Sequence, residues 1–220
     1  MTPMVHRTRR AAGSPLAALG RRGRDALGHT APGECLGWPD PRFGPTMPPM
    51  TQVRFEHTYE CSEDTFWNQI FFDEDYNRRL YLEGLRFHEW REIERQDQGE
   101  ALRRTVEVVP RIGDLPGPLK KVVGDGIRYK EIGNYDKNRR RYRIEVVPNS
   151  LADKLSVTGE LFTEPLGEAR CRRVFQGDVT AKIFGIGGML EKRLIEDMQK
   201  SYARGAEFTN GYIREKGLSG

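Results

Sequence analysis

The chain has 220 residues, is 37% hydrophobic and carries a formal charge of +4, enough to bury one good core, or one core and a tail. No apolar run approaches the roughly 18 residues a membrane-spanning helix needs. Cys35, Cys61 and Cys171 are odd in number and far apart in sequence, so neither a disulfide framework nor a C-x-x-C site is implied, and the chain reads as soluble, reduced and cytoplasmic.

Residues 1–50 stand apart. They hold seven basic residues against three acidic ones and eight of the thirteen prolines, without apolar periodicity. Residues 51–220 hold 29 charges of each sign, so the high pI belongs to the leader. Nothing in the leader offsets the entropy of ordering, and a disordered segment is expected. Its Arg-rich, acid-poor composition is also that of organellar transit peptides. The preferred reading is a natural start at Met47 or Met50, with the upstream stretch a leader translated from GC-rich codons.

From Thr51 the pattern changes. Val53, Phe55, His57 and Tyr59 alternate with Arg54, Glu56 and Thr58, the period of a half-buried strand. Ser62, followed by Glu63 and Asp64, can cap a short helix carrying Phe66, Trp67 and Ile70. A second short helix is predicted over Asp75 to Leu82, stopping at Gly84. Six strand-like runs follow: 85–95, 100–109, 127–135, 140–147, 155–163 and 170–182. Turn residues separate them, and strands so close in sequence must pair mostly as antiparallel hairpins. Leu190, Leu194, Met198 and Tyr202 then recur at fourfold spacing, which predicts an amphipathic helix over 190–213 laid on the sheet. Gly205 and Gly211 inside it suggest close backbone approach, or space left beneath the helix.

Between the last strand and this helix lies FGIGGML, Phe184 to Leu190. A dinucleotide fingerprint would need a third glycine where Leu190 stands, and then another parallel strand, for which too few residues remain. No Gly-Lys-Ser/Thr is present for a phosphate loop. The glycines read as a strand-to-helix corner, and no cofactor is expected.

The order of strand, two short helices, six strands and a long helix resembles the START-like (SRPBCC) superfamily, also called helix-grip or polyketide cyclase and lipid-transfer-like. Within it, DVTAKIFGIGGMLEKRLIEDMQKSYARGAEFTNGYI is similar to the ending of a bacterial family of unknown function, through Gly187, Gly188, Leu190, Glu191, Lys192, Phe208, Asn210 and Tyr212. The resemblance covers about 51–218 and implies an α+β helix-grip fold. A curved antiparallel sheet of about seven strands would wrap the C-terminal helix, leaving a cavity that in the superfamily commonly receives lipids, sterols, polyketides, quinones or other apolar molecules. It carries over no catalytic residue.

Candidate wall residues come from this sequence. They are Phe55 and His57 on the first strand, Trp90 on the second, Tyr129, Tyr142 and Phe175 on later strands, and Met198 and Tyr202 on the helix. The second strand has no cleanly apolar face, and Trp90 is chosen because its size would shape a pocket. His57 and His88, the only histidines beyond the leader, could pair across strands with Glu131 or Tyr129 as an acid or base partner. No metal site is expected, because H-x-x-x-H and H-E-x-x-H are absent and the cysteine spacing is wrong. Arg141 and Arg143 share one strand face while Tyr142, Ile144 and Val146 share the other, as on a solvated face over a core, so nucleic-acid binding is not favoured.

The long loop 110–126 has an apolar centre (Leu115, Leu119, Val122, Val123) beside Lys120 and Lys121. It suggests a lid, or a lip making transient membrane contact, the plainer alternative being a loop packed on its own sheet. The leading functional expectation is non-catalytic binding, and possible transfer, of a hydrophobic small molecule such as a lipid. The alternatives are a cyclase-, dehydratase- or hydrolase-like enzyme using His57 or His88, and an interaction module with a filled core.

Overall fold

The computed structural model describes residues 50–124 and 126–219. The expected leader lies outside them but for Met50. The elements run β1 (Thr51–Tyr59), α1 (Glu63–Thr65), α2 (Glu74–Arg79), β2 (Glu89–Asp97), β3 (Ala101–Val109), α3 (Gly117–Val123), β4 (Tyr129–Asp136), β5 (Arg141–Pro148), β6 (Leu155–Pro165), β7 (Cys171–Ala181) and α4 (Gly187–Lys216). Both α1 and α2 run on into π-helical turns, Phe66–Phe71 and Leu80–Gly84. The strands form one antiparallel sheet in the order β1-β7-β6-β5-β4-β3-β2. This is an α+β helix-grip fold.

Local chemistry sets the element ends. The Ser62 hydroxyl accepts the Thr65 N–H at 3.1 Å, and the Asp73 carboxylate accepts the Tyr76 N–H at 2.6 Å, so each short helix begins on a side-chain cap. The predicted second strand starts late. Leu85 N–H donates to Leu80 O and Phe87 N–H to Tyr81 O, and these bonds hold 85–87 in the turn that ends α2. A register shift between Glu92 and Glu94 leaves Ile93 as a bulge residue, 46% exposed. That shift is why the strand shows no consistent apolar face.

Two ties hold α4 on the edge of the sheet. Near its start, Glu191 accepts the Ala181 N–H at 2.7 Å and the Thr51 hydroxyl at 3.0 Å. Further along, Asn210 donates to Thr58 O and accepts the Glu60 N–H, both at 3.0 Å. The corner before α4 needs glycine for space: a Cβ on Gly187 would sit 2.2 Å from Ala181 O. FGIGGML is therefore a tight strand-to-helix corner in an all-antiparallel sheet.

Cys61 and Cys171, distant in sequence, are buried free thiols, and the β1–β7 register that pairs Cys171 with Tyr59 brings them into the same region. The loop 110–126 contains α3, which the sequence reading did not anticipate. Leu119 is 0% exposed and Val123 is buried, packed with Leu155, Ala181 and Leu190. This favours the plainer alternative of a packed segment over the membrane lip: Leu119 and Val123 face the protein, Leu115 and Val122 are half-buried, and Lys120 and Lys121 are exposed. Among the described residues no helix is long and apolar enough to cross a membrane.

Candidate functional site

A recess of about 560 Å³ lies between the sheet and α4. Its sheet side is built by Tyr129 and Glu131 on β4, Ile144 and Val146 on β5, and Arg173 and Phe175 on β7. From α4 come Leu190, Leu194, Met198 and Tyr202, while Leu80 and Tyr81 close the flank. Residues of the 110–115 segment, with Val123, border it as well.

Glycines in the sheet decide how the aromatic rings lie. A Cβ on Gly133 would fall 1.7 Å from the Tyr142 hydroxyl, and one on Gly159 2.6 Å from the Phe175 ring. Both rings thus press onto bare backbone, an arrangement any side chain at those positions would prevent.

Of the eight predicted wall residues, Tyr129, Phe175, Met198 and Tyr202 line the recess. The other four do not. Phe55 lies behind Phe175 and Tyr202, its ring centroid 6.1 and 5.1 Å from theirs. Trp90 stacks on Tyr81 at 5.9 Å, so Tyr81 holds the wall position assigned to Trp90. Tyr142 is flattened over Gly133. His57 is half-buried on β1 beside Arg173, its register partner, and it is Arg173 that reaches the recess.

The histidine pair is also corrected. His57 and His88 belong to opposite ends of the strand order, and His88 is exposed just before β2. Burial first, and then the Arg173 charge, lower the His57 pKa and favour the neutral ring.

Glu131 does line the recess, with partners the sequence reading missed. Its carboxylate accepts the Tyr142 hydroxyl at 3.2 Å and lies 3.8 Å from Arg104, a residue only 2% exposed. Burial raises the Glu131 pKa, opposed by Arg104 and by the Tyr142 hydrogen bond. The Arg104 guanidinium donates to Tyr142 and to Phe71 O, both at 3.3 Å, and lies over the rings of Phe71 and Phe72 at 5.1 and 5.2 Å. Arg173 is 9% exposed and lies over Tyr59 and Tyr202 at 5.2 and 4.9 Å. A signal for both arginines was present, since Arg104 shares strand parity with Leu102 and Val106, and Arg173 with Cys171 and Phe175.

On the outer face, Arg141 pairs with Glu160 at 2.5 Å and lies over Phe162, while Tyr142 on the same strand turns inward. Among the described residues, no group of three His, Cys, Asp or Glu side chains converges as metal ligands would.

A seven-stranded antiparallel sheet gripping a long C-terminal helix, with short helices after the first strand, is the START-like, helix-grip fold. More narrowly, the chain belongs to the family described as protein of unknown function DUF2505, whose profile matches residues 54–213. Among solved structures it is similar to the Zhui aromatase/cyclase from Streptomyces sp. R1128, at 13% identity and a TM-score of 0.56, over 76% of this chain and 95% of that one. Norcoclaurine synthase from Thalictrum flavum aligns at 16% identity and a TM-score of 0.51, over 76% and 87% of the two chains. TTHA0849 from Thermus thermophilus aligns at 18% and 0.50, over 76% and 99%. At these identities the likeness is one of fold. No curated protein matches the chain.

Proposed function

We propose that the chain binds a hydrophobic small molecule, such as a lipid, between the sheet and α4, and performs no covalent chemistry on it. The observation that carries this reading is the recess itself. Its 560 Å³ falls within the roughly 300–1,000 Å³ of small-molecule sites, and its walls combine aliphatic and aromatic side chains with a few placed polar groups. Apolar surface left unfilled in a core forfeits dispersion contacts, a cost that a bound apolar body would remove.

The test is uptake of a neutral apolar fluorophore, N-phenylnaphthylamine, by the full chain. One molecule per chain is expected. Met198→Trp, which places a larger ring in the recess, should weaken uptake at least tenfold while leaving the melting temperature within a few degrees. Unchanged uptake by this variant would contradict the assigned site.

A second reading, a cyclase-like enzyme in the same recess, is favoured by one observation. Glu131 combines a raised proton affinity with a hydrogen bond from Tyr142 and a neighbouring guanidinium, a combination suited to passing a proton to or from a bound carbonyl compound. Two of the similar folds carry enzyme names, an aromatase/cyclase and a synthase. Glu131, rather than either histidine, would carry that chemistry here.

A further inference from the structure

The recess holds more positive charge than it neutralises. Six of its lining side chains are cationic and two are carboxylates. Glu131 stands 3.8 Å from Arg104, and Asp197 pairs with Arg193 at 2.8 Å. That leaves Arg111, Arg173, Lys200 and Arg204 with no carboxylate of the described residues at ion-pair distance.

Arg173 differs from the other three. Lys200 and Arg204 are exposed on α4, where water solvates an ammonium or guanidinium at little cost, and Arg111 is exposed on the 110–115 segment. Arg173 is more than nine-tenths buried, reaches the recess, and its Nε is buried without a hydrogen-bond partner. Its register neighbours on β1 and β6 are His57 and Thr163, neither of which supplies a negative charge. The faces of Tyr59 and Tyr202 offset part of its desolvation. They do so from ring faces and leave the guanidinium fork without an acceptor. A guanidinium does not escape burial by losing its proton, so the site stays cationic at any physiological pH. A buried charge of this kind is normally paired.

Resting on the proposed binding of an apolar molecule, we infer that the ligand bears a carboxylate, that Arg173 receives it, and that Tyr202, whose ring meets Arg173 from α4, flanks it. One buried guanidinium balances one negative charge. A phosphate monoester, near −2 at neutral pH, would bury a surplus, which favours the carboxylate. The exposed Arg111, Lys200 and Arg204 around the recess would raise the local concentration of such an anion and speed its entry.

The experiment is calorimetric titration of the full chain with three probes sharing one tail: decanoate, decanol and decyl phosphate. Decanoate should bind at least tenfold more tightly than decanol, and more tightly than decyl phosphate. Arg173→Met, which keeps the aliphatic stem, should abolish the difference in affinity between decanoate and decanol. Arg173→Lys, which keeps the charge and guards against a folding defect in the first variant, should retain part of the preference. Equal affinities for decanoate and decanol would overturn the carboxylate assignment and leave the apolar-binding reading standing. Tighter binding of decyl phosphate would overturn the choice of carboxylate. Failure of all three probes to bind would overturn the binding reading itself, and this inference with it.

Discussion

His57 reports on the charge beside it. Burial and Arg173 together lower its pKa below the ordinary value of about 6.5, burial being the larger cause. The unfolded chain therefore binds a proton more readily than the folded one. The stability this contributes is fully present above about pH 6.5 and is lost as the pH falls through the folded value. Followed by NMR across a pH titration, the His57 ring should have its midpoint below 6.5, and Arg173→Met should move that midpoint upward. A midpoint at or above 6.5 in the unsubstituted chain would contradict the assigned environment. At this scale the sequence was only half legible. Phe175 and Tyr129, read from strand alternation, and Tyr202, read from helical spacing, do line the recess, because a large apolar side chain at an inward position has few other places to go. Alternation misplaced Tyr142 and Trp90, whose positions depend on the bare backbone at Gly133 and on the turn carrying Tyr81. Such contacts join residues on different elements, and periodicity along one element cannot show them.

The element most at odds with expectation is α3. Read as a loop with an apolar centre, 110–126 suggested groups for insertion into a bilayer. Tertiary packing instead folds Gly117–Val123 into a helix whose Leu119 and Val123 face Leu155 and Leu190. A buried leucine cut to alanine costs about 2–5 kcal/mol through lost transfer energy and the cavity left behind. Leu119→Ala should therefore lower stability by about that amount in chemical denaturation, whereas an exposed lip residue would change it by less than about 0.5 kcal/mol. Most other elements were legible because period and punctuation agreed: the strand runs, the cap at Ser62 and the corner at Gly185–Gly188 are local signals, whereas the Asp73 cap was not read from the sequence. Four of the eight residues carrying the family resemblance fasten α4. Gly187 fits against Ala181 O, Glu191 and Asn210 tie the helix to β1 and β7, and Phe208 crosses Gly84, where a Cβ would meet its ring at 2.8 Å.

For the molecule as a whole, a curved sheet with one helix across it is difficult to fill with side chains, and that geometry was foreseeable from the order of elements. The charge inside was not foreseen. Residues 51–220 hold equal numbers of acids and bases, yet the recess gathers an excess of cations, because β7 turns Arg173 inward and α4 and the 110–115 segment add Lys200, Arg204 and Arg111, while carboxylates such as Glu160 and Glu164 pair with arginines on the outer side of the sheet. Overall neutrality says nothing about which face each charge occupies. Purification of the full chain without detergent, followed by native mass spectrometry and organic extraction, tests the central claim most directly. The account predicts one apolar molecule per chain, released on denaturation and recovered in the extract as an acid. A bare mass that takes up nothing from a total lipid extract would contradict it.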